Sequence, residues 1–190
     1  MIQLPYRLIL ASGSPRRQEL LKQMQLDFDI RLQQVDETYP ADLATERIAE
    51  YLACKKAAAY KLSDDELLLT ADTVVVLEGE VLGKPANADE AFRMLRQQSG
   101  KTQEVYTGVC LRTSDQTHSF TALTKVHFNY LTDEEIQFYI TYYKPFDKAG
   151  AYGIQEWLGF VGIEGIEGSY TNVMGLPTET LYAELRAFQL

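Results

Sequence analysis

One carboxylate of this chain lies inside an apolar run, where a charge is costly. Residues 67–71 and 74–77 are almost wholly apolar, and Asp72 and Thr73 interrupt them. Such a run, rich in β-branched residues, indicates a strand that is buried on both faces. A carboxylate in that position must meet a cation, a metal ion or hydrogen-bond donors. Asp72 is therefore either the centre of a structural hydrogen-bond network or a site residue, and we favour the site.

A second set of polar residues follows the first apolar run of the chain. Gly13, Ser14 and Pro15 predict a tight turn and a helix start, since Gly permits unusual backbone angles, Ser caps helices and Pro suits the first turn. Arg16 and Arg17 then fall where their charge opposes the positive end of the helix dipole. An anion bound between them, such as a phosphate chain, removes this conflict. The other interpretation is a capped helix with two solvated arginines.

Further charged side chains are candidates for the same site. Glu37 lies in a loop before Pro40, where carboxylates are commonly solvated. The helix predicted over residues 45–62 places Lys55 near the middle of its apolar face and Lys56 at the edge, so one of them should reach a negative group unless its stem only extends to solvent. The residues counted as that apolar face are Ile48, Tyr51, Leu52, Ala59 and Leu62. The turn that contains Lys84 lacks the pattern of a phosphate-binding loop.

The elements that must position these residues follow from periodicity and capping signals. Strands are predicted over residues 8–10, 27–35, 67–77, 81–82, 104–112 and 118–131. Helices are predicted after residue 14 and over residues 45–62, 87–98 and 132–143, with a closing helix through residues 181–188. This alternation predicts an α/β fold with a central mixed β-sheet flanked by helices. We expect a single domain over residues 1–190, in two lobes around a cleft.

Composition excludes several classes of partner. The 190 residues carry a net charge of −9, which disfavours nucleic acid polymers and anionic membranes. No apolar run has the length of a membrane span, and the amino terminus lacks an export-signal pattern. Cys54 and Cys110 are isolated in sequence and suggest neither a metal site nor a disulfide framework. His118 and His127 are expected to be structural. These features predict a reduced, cytoplasmic enzyme or binding protein.

Six blocks of the sequence, taken in order, resemble the Maf-like nucleoside triphosphate pyrophosphatases over nearly the whole chain. The blocks are residues 11–17, 71–75, 83–85, 99–109, 147–155 and 166–177. The resemblance implies a Maf/ITPase-like fold and hydrolysis of a nucleoside triphosphate to the monophosphate and pyrophosphate, with a divalent metal cation, Mg²⁺ or Mn²⁺. Arg16 and residues 153–155 resemble the branch that acts on dTTP and UTP, and modified pyrimidine nucleotides are included in that expectation. A cytoplasmic protein, often a homodimer, is also implied.

The resemblance assigns roles to individual residues. Asp72 matches the proton acceptor, and Glu37, Lys56 and Lys84 match polar residues of the catalytic cleft. The expected substrate-binding residues are Ser12, Ser14, Arg16, Arg17, Thr73 and Gln155. Asp72 and Glu37 are the expected metal ligands, since Mg²⁺ and Mn²⁺ prefer oxygen donors. The family pattern favours Lys56 for the site, whereas periodicity favours Lys55. Two other functions remain open: a nucleotide-binding regulator of septum formation in cell division, without significant turnover, and a phosphoryl transferase.

Overall fold

The computed structural model describes residues 2–188, so the two ends of the predicted 1–190 domain lie outside the described residues. The strands of this part are β1 (Arg7–Leu10), β2 (Asp29–Ile30), β3 (Glu66–Leu77), β4 (Glu80–Leu82), β5 (Thr102–Arg112), β6 (Thr117–Phe128) and β7 (Ile163–Glu167). Its helices are α1 (Pro15–Gln23), α2 (Thr45–Ala58), α3 (Ala88–Gln98), α4 (Asp133–Tyr143), α5 (Trp157–Val161), α6 (Tyr170–Met174) and α7 (Thr178–Ala187), with a 3₁₀ turn at Ala149–Ala151. Across residues 2–188, no helix combines the length and apolar character that a membrane crossing requires.

The strands form one mixed sheet in the order β2-β1-β3-β5-β6-β7, with β4 also paired to β3. Strand β1 runs parallel to both β2 and β3, with Leu10 opposite Leu69 in the second pair. Strand β4 returns antiparallel on β3, and β7 is antiparallel to β6. The predicted α/β fold with a mixed sheet and flanking helices is therefore confirmed.

The chain divides into two compact units, each assembled from separate segments. Unit 1 comprises residues 2–72, 107–122 and 175–188 of the described chain, and unit 2 comprises residues 73–106 and 123–174. Strands β3, β5 and β6 each contribute residues to both units, because the unit boundaries fall within them. Each unit has a buried apolar cluster of its own.

In unit 1, helix α2 packs directly on the sheet. Ala53 and Ala57 of α2 are buried against Ile9, Leu68 and Cys110. A Cβ atom added at Gly108 of β5 would lie 2.2 Å from the backbone nitrogen of Glu50, so only glycine permits this approach of strand to helix. The Thr70 hydroxyl donates to the carbonyl oxygen of Ala53 at 2.7 Å, which ties β3 to the same helix. Helix α2 is thereby held in a fixed position over β3.

Unit 2 has the larger described cluster, which is formed around the end of β3. It includes Val75, Leu95, Val126, Ile136 and Tyr152, all at most 5% exposed. The predicted capping boundaries are confirmed here. The Asn87 side chain accepts from the Glu90 amide at the start of α3, and Thr132 and Glu135 form a reciprocal capping box at the start of α4.

Several local predictions are wrong, and one of them is the end of β6, which lies at Phe128 rather than at residue 131. The strand predicted over residues 27–35 is reduced to Asp29–Ile30, and Leu32 is 65% exposed. Helix α2 ends at Ala58 rather than at residue 62. Gly13 does not adopt a positive φ, so the turn before α1 does not use the conformational freedom of glycine. The cysteines, distant in sequence, are both free, and Cys54 packs against the apolar cluster that contains buried Cys110.

Candidate functional site

The turn between β1 and α1 is held by hydrogen bonds among the residues that sequence analysis selected. The Ser14 hydroxyl accepts from the Arg17 amide at 3.5 Å, as the capping prediction requires. Buried Ser12 accepts from the Ser14 amide at 3.3 Å and from Arg17 Nη1 at 3.2 Å. Arg17 Nε donates to the carbonyl oxygen of Gly175 at 2.7 Å. The guanidinium of Arg17 is thus fixed by protein groups and is not a freely solvated side chain.

Charged residues of the predicted site act on this guanidinium. Burial lowers the pKa of Arg17 below its usual value, the negative charge of Asp72 opposes that effect, and Arg16 and Glu37 have smaller effects of opposite sign. Arg17 therefore lies within electrostatic reach of both predicted carboxylates and of the second arginine. The turn between β1 and α1 and the strand β3 are far apart in sequence, but both contribute residues to one charged cluster in unit 1.

A lysine of α2 joins the two carboxylates. Lys56 Nζ lies 2.5 Å from Asp72 Oδ1 and 2.8 Å from Glu37 Oε1. The side chains of Lys56 and Asp72 are 17% and 15% exposed, whereas Glu37 is 58% exposed. The Lys56–Asp72 pair is therefore largely removed from water, while Glu37 approaches the ammonium from the solvent side. These three side chains comprise one cation and two carboxylates, so they offer contacts to a bound anion and to a bound cation.

The periodicity argument that favoured Lys55 as the inward lysine is wrong. The buried residues of α2 are Ile48, Ala49, Leu52, Ala53 and Ala57. Tyr51, which helical periodicity places on the apolar face, is 38% exposed. Lys56 follows Leu52 by four residues and Ala49 by seven, so it lies on the buried face, and Lys55 lies to one side. Lys55 instead pairs with Asp36 at 2.9 Å.

The remaining predicted site residues belong to unit 2. Thr73 directly follows Asp72 on β3 and is also partly exposed, so these two residues interrupt an otherwise buried strand. Lys84 is exposed just after β4, next to Gly83, whose carbonyl oxygen accepts from the Gly150 amide at 3.1 Å. Gln155 is partly exposed and precedes α5.

A hydrogen-bond network that sequence analysis missed holds the segment before Gln155. The Tyr139 hydroxyl accepts from the Gly153 amide at 2.9 Å and donates to the Glu156 carboxylate. Lys148, only 8% exposed, pairs with the same carboxylate at 3.2 Å. Burial raises the pKa of Tyr139 well above 10, so its hydroxyl stays a donor. Lys148 lies in a block that resembles the family, whereas Tyr139 has no local signal beyond the apolar face of α4.

The donor atoms around Lys56 decide whether this site can hold a metal ion. Within residues 2–188, no group of three or more His, Cys, Asp or Glu side chains is arranged to hold a metal ion. His118 pairs with Glu184 at 2.8 Å and His127 with Glu167 at 3.0 Å, in agreement with their expected structural character. Glu37 and Asp72 offer two carboxylates whose oxygen atoms meet at one ammonium. Two hard oxygen donors fit a Mg²⁺ or Mn²⁺ ion that takes its other ligands from water and a bound phosphate chain.

Known proteins are similar to this chain over almost its full length. A protein named dTTP/UTP pyrophosphatase from Phocaeicola vulgatus is 55% identical over 184 residues, which cover 95% of each chain. One of the same name from Flavobacterium psychrophilum is 52% identical over 181 residues, covering 94% of this chain and 93% of that protein. The solved structure of the Ham1 protein of Staphylococcus aureus superposes with a TM-score of 0.54 at 15% identity, covering 95% and 98% of the two chains, which shows similarity of fold. The model of the family described as Maf-like protein matches residues 7–188, and the chain belongs to this family.

Proposed function

We propose that this protein hydrolyses dTTP and UTP to the nucleoside monophosphate and pyrophosphate. The observation that carries the proposal is the Lys56 ammonium, which pairs with both Asp72 and Glu37, two carboxylates that also act electrostatically on Arg17. Relatives of this chain are named dTTP/UTP pyrophosphatase. A partly exposed carboxylate beside cations is suited to water activation next to a phosphate chain. We further propose that residues 1–190 act as one domain and that the protein works in the cytoplasm.

The reaction adds one water across the bond between the α- and β-phosphoryl groups. In this proposal Asp72 accepts a proton as the water oxygen attacks the α-phosphorus, and pyrophosphate leaves in line. Negative charge spreads over the phosphate oxygens, and Lys56, Arg16 and Arg17 offset it. Arg17 enters the reaction already fixed by Ser12 and Gly175, so little reorganisation is required of it.

A divalent cation, Mg²⁺ or Mn²⁺, is part of the proposal. Glu37 and Asp72 would hold it, because an oxygen atom of each lies within 2.8 Å of the same Lys56 ammonium and the Glu37 side chain is 58% exposed. When bound, such an ion neutralises phosphate charge and makes water easier to deprotonate. Lys56 then serves to hold the two carboxylates together before the ion and the nucleotide arrive.

The other predicted residues are proposed to bind the nucleotide. Ser12 and Ser14 would bind phosphate oxygens together with the amides at the start of α1. Lys84 is proposed to contact the phosphate chain, and Thr73 and Gln155 to select the base. The network of Tyr139 and Glu156 supports this role for Gln155, since it fixes the backbone two residues earlier.

The experiment is a substrate and metal panel with the purified protein. Eight nucleoside triphosphates, with Mg²⁺, Mn²⁺ or a chelator, are assayed separately for pyrophosphate and for orthophosphate. We expect metal-dependent pyrophosphate release from dTTP and UTP, and Asp72→Asn should remove most turnover while the protein stays folded. Asp64→Asn, at an exposed position before β3, is the control for loss of a carboxylate.

Other results of the panel would contradict specific parts of the proposal. Orthophosphate without pyrophosphate would refute the reaction, and a preference for purines alone would refute the substrate class. Tight nucleotide binding without any product would favour the regulator of septum formation, and transfer to an added acceptor would favour a phosphoryl transferase. The homodimer remains a prediction, which light scattering of the purified protein would test.

A further inference from the structure

Lys55 and Lys56 are adjacent on α2 but bind different parts of one loop. Lys55 Nζ lies 2.9 Å from Asp36 Oδ2, 2.7 Å from the Thr38 carbonyl oxygen and 3.2 Å from Thr38 Oγ1. An ammonium group has three N–H donors, and these three acceptors match that number. Lys55 therefore binds the residues directly before and after Glu37, and its side chain does not simply extend to solvent.

The loop that Lys55 contacts is also closed by its own hydrogen bonds. The Thr38 amide donates to Asp36 Oδ1 at 3.1 Å, and the Thr38 hydroxyl donates to Asp36 Oδ2 at 2.5 Å. The result is a compact turn around Glu37, bound to α2 at the residues before and after it.

We propose that Lys55 is a positioning residue: by holding residues 36 and 38 on α2, it places the Glu37 carboxylate at Lys56 and Asp72. Residues 31–44 contain no helix or strand, so the ladder hydrogen bonds of regular structure do not fix the backbone around Glu37. Helix α2 is packed on the sheet through Ala53 and Ala57, and it provides a rigid base for the two lysines. The inference deepens the proposed function and rests on it, because Glu37 belongs to the proposed site.

The kinetic test compares single and double variants. Lys55→Met should lower kcat for dTTP about tenfold and raise the Mn²⁺ concentration for half-maximal activity by a similar factor, because displacement of a site group by about 1 Å can cost a hundredfold. In a Glu37→Ala background, the same Lys55→Met change should have almost no further effect. Lys55→Arg should restore part of the loss, since it keeps a cation at this position.

Arg47→Met is the matched control, since it removes a cation from the same helix that is 67% exposed and lies 4.0 Å from Glu50, and ion pairs of exposed cations are weak. It should leave kcat and the Mn²⁺ dependence unchanged. Full activity of Lys55→Met would overturn the proposal. So would a tenfold loss that is repeated in the Glu37→Ala background, since the effect would then not pass through Glu37.

A second measurement is independent of turnover. The Thr38 amide donates within the turn, so its hydrogen exchange reports whether the turn is closed. We expect its exchange to be at least tenfold faster in Lys55→Met than in the wild type or Arg47→Met. If the wild type fails to hydrolyse any triphosphate, the proposed function is refuted, while this exchange still decides whether Lys55 holds the loop. Unchanged exchange would overturn the positioning inference by itself.

Discussion

Replacing Lys56 with methionine tests the central contact of the proposed site through protein stability as well as activity. Met keeps an apolar stem of similar length, so the variant removes the charge and little of the packing. Asp72 then loses its partner at 2.5 Å while its side chain is only 15% exposed. Glu37 loses a partner at 2.8 Å, but at 58% exposure water can replace it.

The expected magnitude follows from these exposures. Loss of one partner costs about 3–5 kcal/mol for a fully buried ion pair, and an exposed pair contributes about 0–1 kcal/mol. The Lys56–Asp72 pair lies between these limits, so Lys56→Met should lower the free energy of unfolding by about 2 kcal/mol. Activity should fall by about a hundredfold, the effect typical of a lost charge-stabilising contact.

Urea unfolding of a double-mutant cycle provides the measurement. Because the two residues are in contact, Lys56→Met and Asp72→Asn should be non-additive by at least about 0.5 kcal/mol, with the double variant more stable than the sum predicts. Arg47→Met serves again as the exposed control and should cost less than about 0.5 kcal/mol. Additive effects of the two changes, or a cost for Lys56→Met no larger than that of Arg47→Met, would refute the contact.

Two further changes test the structure away from the proposed site. Gly108→Ala should destabilise the protein by about 3 kcal/mol, since the new methyl group meets the Glu50 backbone. Gly165→Ala places its methyl group in open space and should be nearly neutral. Equal urea midpoints for the two variants would contradict this packing. Hydrogen bonds from Arg31 hold the pKa of Glu66 at about 2, below 4.5, so the ionised group stabilises the fold at neutral pH and this contribution is lost as the pH falls through that window. Glu66→Gln should therefore flatten the dependence of unfolding free energy on pH between about 4.5 and 2, and an unchanged slope would contradict the assignment.

Local signals predicted much of the fold because they act over a few residues. Ser14, Asn87 and Thr132 cap the helices that follow them, as their side-chain chemistry and spacing indicated. The apolar run around Asp72 forms a buried strand, and its interruption at Asp72 and Thr73 is visible in the burial of the folded chain. Capping and burial of this kind depend on neighbours in sequence and need no knowledge of the tertiary structure.

Other features could not be predicted from local pattern. Alternation over residues 27–35 suggested a full strand, but β2 lies at the end of the sheet order and pairs with β1 at only two residues. Periodicity selects the wrong inward lysine because it counts Tyr51 as buried, whereas Tyr51 is 38% exposed and a tyrosine hydroxyl is readily left in water. The contact of Tyr139 with Gly153 and Glu156 joins residues 14 and 17 positions apart. Such long-range hydrogen bonds leave no periodic trace in the sequence.

The interleaved order of the two units limits how this protein can be cut or can fold. Residues 107–122 and 175–188 belong to unit 1, although the segments of unit 2 separate them from residues 2–72. No single uninterrupted piece of the gene encodes either unit. During synthesis, unit 1 lacks helix α7 until residue 187 has been made, so its assembly requires closure of long loops. A truncation that removes α7 therefore removes part of the same unit that contains residues 2–72.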